Sequence, residues 1–194
     1  MTLAQELLDD VGQVDILVGP VGAGGSLCGT ARVLCETNPD LLVVGVDAVN
    51  SVIFGQPDNP RRLQSGLGNS LVPANVDKSI INQVHWLSDE EAIAATLRLA
   101  CDEQIFAGNS SGSAYWVARW LSSQQVADCT TVVILPDRGD RYYATFYNPE
   151  YRKKHNVAQL RLPDAPVEVL FGTTVASWSY AALPELYNCK AKEA

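Results

Sequence analysis

Apolar residues along this chain gather in short continuous runs that alternate with stretches of helical spacing. The first run, VDILVGP from Val14 to Pro20, has the length of a strand and leads into a glycine-rich stretch, the pattern of a strand buried on both faces. Gly25 to Glu36 then places Leu27, Ala31, Val33 and Leu34 at helical spacing, and LLVVGVD, Leu41 to Asp47, reads as a second strand. From Ser51 to Lys78 no period is sustained and Gly, Pro and Asn are dense; a loop of that length inside a compact domain is functional or disordered. Ser88 with Glu91 three residues on has the spacing of a capping box, and it opens an amphipathic helix through Ile93, Leu97, Ala100 and Cys101. A short strand is expected over Gln104 to Ala107. It is followed by GNSSGSA (Gly108 to Ala114) and by a helix with Trp116, Val117, Trp120 and Leu121 on one side. TTVVILP, Thr130 to Pro136, is another apolar strand. Apolar strands alternating with helices predict an α/β fold, a parallel sheet covered by helices on both faces. Residues 1–147 are read as this α/β domain. Residues 148–194, with scattered charges, several prolines and no clean period from Phe171 on, are read as a C-terminal extension whose order the pattern leaves open.

Composition narrows the function classes. At 194 residues and 47% hydrophobic side chains the chain can bury a sizeable core, and disorder is excluded. Its net charge is −8 and its longest basic runs are Arg61-Arg62 and Arg152-Lys153-Lys154, so the basic face that nucleic acid needs is missing. The longest uncharged stretches, Ile16 to Ala31 and Val169 to Pro184, are broken by Gly, Ser and Thr and fall short of the roughly 20 apolar residues of a membrane span. MTLAQELLDDVG lacks the basic start of a secretory signal. The five cysteines, Cys28, Cys35, Cys101, Cys129 and Cys189, are odd in number and never in C-x-x-C spacing, which argues against a disulfide framework or a zinc site and for a reducing, cytoplasmic setting.

The candidate chemistry lies in two small-residue turns, VGAGGS (Val21 to Ser26) and GNSSG (Gly108 to Gly112), each after a strand and before a helix. Open α/β sheets bind ligands at the carboxyl ends of their strands, and a helix N-terminus offers free N–H groups and a positive dipole end to a phosphate. The plain structural alternative is that the glycines pack helix on strand and the serines cap helices. The dinucleotide fingerprint G-x-G-x-x-G fits poorly, because Leu27 stands where its third glycine belongs, although Asp47 ends the next strand as a ribose-binding acid would. A P-loop is excluded by the lack of Gly-Lys-Ser/Thr. A compact monophosphate ligand stays open, with a nucleotide as the weaker alternative.

VGAGGSLCGTARVL, VVGVDAV, LQSGLGNSLVPANVD, SDEEAIAATLRLACDEQIFAGNSSGSA and VVILPDRGDRYYAT resemble, in order, motifs of the cysteine synthase and cystathionine β-synthase family, the fold-type II enzymes that use pyridoxal 5′-phosphate (PLP). The resemblance implies that Gly22, Ala23, Gly24, Gly25 and Ser26 hold the phosphate through backbone N–H groups and the Ser26 hydroxyl, and that Ser110 faces the pyridine nitrogen. A neutral hydroxyl there favours β-elimination and β-replacement over deeper carbanion chemistry. Ala23 departs from the family's usual Thr, losing a hydroxyl but no backbone donor. The implied activity is β-replacement on an activated serine, a transferase or lyase of amino-acid biosynthesis. The implied partners are an amino-acid substrate and a second copy of the chain. ATFYNPEYRKKHNV is similar to members that make 2,3-diaminopropionate precursors.

The family's Schiff-base lysine, in a Ser-x-Lys setting, lies well upstream of the phosphate turn together with the substrate-carboxylate loop and the small domain. Lys78, Lys153, Lys154, Lys190 and Lys192 all fall in polar loop or tail contexts. The chain is therefore expected to correspond to the C-terminal portion of such an enzyme, to contain no catalytic lysine, to need a complementing N-terminal piece and to be inactive alone. The rival from another class is a non-catalytic remnant or partner-binding domain that keeps the turns for packing. His85 and His155 are read as structural or surface residues, Asp137 and Asp140 as turn residues. Gly66 to Asn69 resemble the family's loop beside the cofactor, and Trp116, Trp120, Tyr142, Tyr143 and Tyr147 are read as core or interface.

Overall fold

The computed structural model describes residues 2–125, 128–157 and 162–184. Helix α1 (Leu3–Val11) precedes β1 (Ile16–Pro20), α2 (Gly25–Thr37) and β2 (Leu42–Ala48). A long connection with one short 3-10 turn, Lys78–Ile80, leads to β3 (Gln83–Leu87), α3 (Asp89–Asp102), α4 (Asn109–Ser123) and β4 (Thr131–Val133). Helix α5 (Pro149–Lys154) and strands β5 (Val167–Glu168) and β6 (Ser179–Ala182) follow. The strands form one sheet in the order β4-β1-β2-β3-β6-β5.

β4, β1, β2 and β3 are mutually parallel, with Ile16 level with Thr131 on one side and Leu42 on the other. These four strands are the parallel sheet expected from the sequence, and β6 extends it at the β3 edge with an antiparallel pairing. That strand comes from the segment after Phe171, where the pattern of side chains shows no clean period. SYAA is short, with Ser179 and Ala181 buried, Tyr180 half-buried and Ala182 exposed, so neither a continuous nor an alternating apolar run marks it.

The two-residue period of the strands sorts their side chains onto two cores. Leu17, Val43, Val84 and Trp86 face a cluster filled by Leu27, Ala31 and Leu34 of α2 and by Ala4 of α1. Ile16, Val18, Val44 and Val46 face the opposite cluster, with Val117 and Leu121 of α4 and Trp178. Both faces of the sheet are thus covered, as an uninterrupted apolar strand requires.

α3 starts where its capping box predicts: the Ser88 hydroxyl accepts from the Glu91 N–H and the Glu91 carboxylate accepts from the Ser88 N–H. The second Glu91 oxygen accepts from the Trp178 N–H at 2.9 Å, which ties the C-terminal segment to the same helix end. The strand expected over Gln104 to Ala107 reduces to a single antiparallel bridge between Ala107 and Arg138. Within 148–194, residues 158–161 and 185–194 lie outside the described residues.

Candidate cofactor site

The turn from Val21 to Gly24 leaves β1 at its carboxyl end and enters α2 with Gly24 at φ +82°, a conformation that glycine adopts without strain. No side chain caps this helix start and its first turn holds no acid, so its N–H groups and positive dipole end are free for an anion. The glycines of the turn have different reasons. A Cβ on Gly22 would stand 2.4 Å from the Gly66 carbonyl oxygen, and one on Gly24 would stand 2.7 Å from the Val76 side chain. A Cβ on Gly25 would meet nothing within 4 Å. Packing therefore accounts for Gly22 and Gly24 but not for Gly25, which with Ala23 and Ser26 lies on the open side of the turn.

The long connection is tied against this turn. The Gly68 N–H donates to the Val21 carbonyl at 3.0 Å, the Asn69 N–H to the Ser51 hydroxyl at 3.0 Å, and the Val52 N–H to the Asn69 carbonyl at 3.0 Å. Gly66 and Gly68 both have positive φ, which brings the SGLGN backbone flat onto the β1 end. The loop resembling the family's cofactor-side loop is thus a packed neighbour of the candidate phosphate turn.

The second turn sits at the carboxyl end of β4, the strand beside β1. The Gly108 N–H donates to the Asp137 carbonyl at 3.1 Å and the Gly139 N–H to the Phe106 carbonyl at 3.0 Å. Ser26 lines a groove of about 340 Å³ together with Val132 to Pro136. Leu3 and Leu7 of α1 line the same groove, and Asp137, which follows directly on Pro136, holds the start of α4 through its carbonyl. α4 begins inside GNSSG, at Asn109, one turn earlier than its apolar spacing indicates. Gly112 belongs to packing: a Cβ there would stand 2.4 Å from Thr96 Cα, where α3 and α4 cross closely.

Ser110 is only 1% exposed, and its hydroxyl has no hydrogen-bond partner among the described residues. Buried hydroxyls are ordinarily paired, and this one keeps its capacity to donate to or accept from a polar ligand atom. Open space above Gly25 for an anion and a lone buried hydroxyl for a polar ring atom suit a group with a phosphate at one end and an aromatic nitrogen at the other, which is the shape of PLP. A Tyr142–Asp137 contact braces the α4 start. The Tyr142 hydroxyl donates to the Asp137 carboxylate, and burial together with that hydrogen bond pushes the phenol well above its ordinary range. A Cβ on Gly108 would collide with both side chains. Reading Asp137 as a turn residue misses this brace, for which no sequence spacing gives a signal.

Asp47, the acid that a nucleotide would need on its ribose, is fully buried. Its Oδ1 accepts from the Ala48 N–H at 2.8 Å and a Cβ on Gly68 would stand 3.1 Å from the same atom. Burial raises its carboxyl to about 7. A group sealed beneath the SGLGN loop cannot reach a ribose, and the nucleotide alternative falls. His85 is likewise internal: its Nδ1 accepts from the Trp178 indole N–H at 3.2 Å, Tyr180 stacks on its ring, and burial lowers it to about 3. His155 packs on the Tyr151 ring. Among the described lysines, Lys78 is half-buried with its Nζ 5.7 Å from the Phe54 ring centre, and Lys153 and Lys154 are exposed on α5. Lys190 and Lys192 lie outside the described residues.

Among the described residues no helix is long and apolar enough to cross a membrane, and no group of His, Cys, Asp and Glu could hold a metal ion. The family model described as "Pyridoxal-phosphate dependent enzyme" matches residues 1–137. The fold is similar to the O-acetylserine dependent cystathionine β-synthase of Helicobacter pylori, with a TM-score of 0.69 and 30% identity over 74% of this chain and 47% of that one. It is similar to O-acetyl serine sulfhydrylase isoform 3 of Entamoeba histolytica, with a TM-score of 0.69 and 26% identity over 80% and 49%. An O-ureido-L-serine synthase matches with a TM-score of 0.68 and 30% identity over 74% and 46%. The chain spans about half the length of these solved structures.

Proposed function

Because this chain belongs to the pyridoxal-phosphate dependent enzyme family, we propose that it is the cofactor-holding part of an enzyme for β-replacement on an activated serine. PLP, when bound, withdraws electrons from the amino acid's Cα, so that a β-substituent can leave and a nucleophile can take its place. The observation that carries the reading is the pairing of open space over Gly25, at an uncapped helix start, with the orphan hydroxyl of Ser110 at the neighbouring strand tip.

The chain's own residues divide the work. The N–H groups of Gly22 to Ser26 and the Ser26 hydroxyl bind the phosphate. Ser110 meets the ring nitrogen with a neutral hydroxyl and leaves it unprotonated, which keeps the chemistry at the β-carbon. The Asp137–Tyr142 contact fixes the turn that presents Ser110, and the SGLGN loop walls the site beside Gly22. The similar structures include an O-acetylserine dependent cystathionine β-synthase and an O-ureido-L-serine synthase, which supports a serine activated at its side-chain oxygen as the substrate class. ATFYNPEYRKKHNV supports an amine nucleophile of the 2,3-diaminopropionate kind.

No described lysine stands in the turns that would hold the cofactor. The proton-abstracting lysine and the loop that grips the substrate carboxylate are therefore proposed to come from a complementing N-terminal piece, with dimerisation of the assembled enzyme. The test is a titration of the 194-residue chain with PLP and with unphosphorylated pyridoxal, followed by absorbance and protein fluorescence. Saturable binding of PLP, much weaker binding of pyridoxal and negligible turnover of O-acetylserine are expected. Absence of PLP binding would instead favour a non-catalytic domain, and substantial turnover by the pure chain would refute the need for an outside lysine.

A further inference from the structure

β4 ends the sheet on one side, and its outer edge is open among the described residues. In a parallel pair, alternate residues give both backbone groups to the same neighbour. The Ile16 N–H donates to the Thr130 carbonyl at 3.1 Å and the Ile134 N–H to the Val18 carbonyl at 2.9 Å, so Thr130, Val132 and Ile134 face β1. Thr131 and Val133 therefore turn their N–H and C=O groups outward, where no described strand meets them. Natural sheets blunt such edges with charge, proline or a covering element. The opposite edge does so: β5 is two residues long, follows Pro166 and carries Glu168. Thr130 to Leu135 holds only threonine and aliphatic residues, and Thr131, Val132 and Val133 are all half-buried. The edge runs into the groove of about 340 Å³ where Leu3 and Leu7 of α1 meet Val132 to Pro136 beside Ser26. Charge around this apolar strip has one sign. Residues 1–31 and 120–137 carry Glu6, Asp9, Asp10, Asp15, Asp128 and Asp137 and no lysine or arginine. By helical spacing Glu6 and Asp10 share the α1 stripe of Leu3 and Leu7.

We infer that the β4 edge is the docking site for an extended apolar strand with basic residues at its ends, supplied by the complementing piece. The inference rests on the proposed need for that piece and deepens it by assigning where the piece binds. The chain spans 46% to 49% of the length of the similar solved structures, so an assembled enzyme has about as much chain again to seat. A strand added at Thr131 and Val133 forms the backbone hydrogen bonds that the edge lacks, and one of its apolar side chains enters the groove of Leu3 and Leu7. Its lysines or arginines meet the surrounding carboxylates. Those carboxylates disfavour a second copy as the occupant, because two β4 edges paired about a symmetry axis bring acid to acid. Since Ser26 lines the groove, the incoming strand also sets the piece beside the candidate phosphate turn.

The probe is a fluorescent synthetic peptide of alternating threonine and leucine with lysines at both ends. Its controls are a glutamate-ended form and a lysine-ended form interrupted by prolines. Anisotropy titrations and amide hydrogen exchange are run on the full chain, on Val133→Pro and on the double variant Glu6→Lys, Asp10→Lys, with thermal melts as a folding control. The lysine-ended peptide is expected to bind saturably, about tenfold tighter than the glutamate-ended one, and to slow exchange at Thr131 and Val133. The interrupted peptide, equal in charge but unable to pair, is expected not to slow it. Val133→Pro removes an outward N–H and no bond to β1, so it is expected to melt near wild type and lose the peptide. The double variant is expected to shift the preference toward the glutamate-ended peptide. Should Val133→Pro fail to fold, that shift decides, and an unshifted preference overturns the inference. So does absence of saturable binding, equal exchange protection by the interrupted peptide, or an unaltered titration with folded Val133→Pro. Self-association of the wild-type chain that Val133→Pro abolishes gives the edge to a second copy and overturns it as well. The PLP titration judges the cofactor site separately: PLP binding without peptide binding sinks only the docking site, and peptide binding without PLP binding sinks only the cofactor reading.

Discussion

Gly25→Asp separates ligand binding from folding more cleanly than any other change in this molecule. Gly25 is exposed, is the first residue of α2 and has open space where a Cβ would go, so the aspartate adds no clash. It also places a negative charge on the positive end of a helix that lacks any acid in its first turn, which is worth about 0.3 to 1 kcal/mol of added stability. The ligand suffers the opposite effect. A phosphate monoester carries roughly two negative charges, and at about 4 Å from a carboxylate the repulsion is about 2 kcal/mol with the dielectric of water and about 8 kcal/mol at an effective value of 20. Even the lower figure weakens PLP binding roughly thirtyfold. The assay pairs a thermal melt of the ligand-free chain with a PLP titration. A variant that melts at or above wild type and loses PLP supports the account. A variant that binds PLP as tightly as wild type refutes the placement of the phosphate, and one that melts far lower refutes the open space over Gly25.

Gly112→Ala should destabilise the fold by about 1 to 3 kcal/mol, read as a lower melting temperature, because its Cβ would press on Thr96 Cα where α3 and α4 cross. Tyr142→Phe should cost about 1 kcal/mol in stability through the lost hydrogen bond to Asp137, and should weaken PLP binding in the same titration by loosening the α4 start. Asp47, raised to about 7 in the fold, stabilises below about pH 4 and loses that stabilisation as pH rises toward 7, by up to roughly 4 kcal/mol. His85, lowered to about 3, contributes stability above about pH 6.5 that is lost as pH falls toward 3. The two oppose each other between about pH 4 and 6.5, so wild-type stability should vary little there. Urea unfolding of Asp47→Asn across that range should expose a slope that rises with pH, and a flat profile would contradict the burial of His85.

Where local chemistry and long-range structure agree, the sequence is readable. β1, α2, β2 and α3 have apolar runs, a glycine exit or a capping box whose causes lie within a few residues, and their bounds follow from these. β3 is harder to see because His85 interrupts QVHWL; the histidine is accommodated only because Trp178, Tyr180 and Trp120, distant in sequence, close around it. β6 depends in the same way on a partner strand that no local pattern reveals. The candidate site shows the same division. Its glycines and serines stand out as motifs, yet which glycine faces a ligand and which faces a neighbour emerges only from Gly66 beside Gly22 and Thr96 beside Gly112.

The most direct measurement is a crystal structure of the chain grown with PLP. The account predicts phosphate density against the backbone of Gly22 to Ser26 and the ring nitrogen within hydrogen-bond reach of the Ser110 hydroxyl. Phosphate bound elsewhere, or a ring turned away from the first turn of α4, would contradict it.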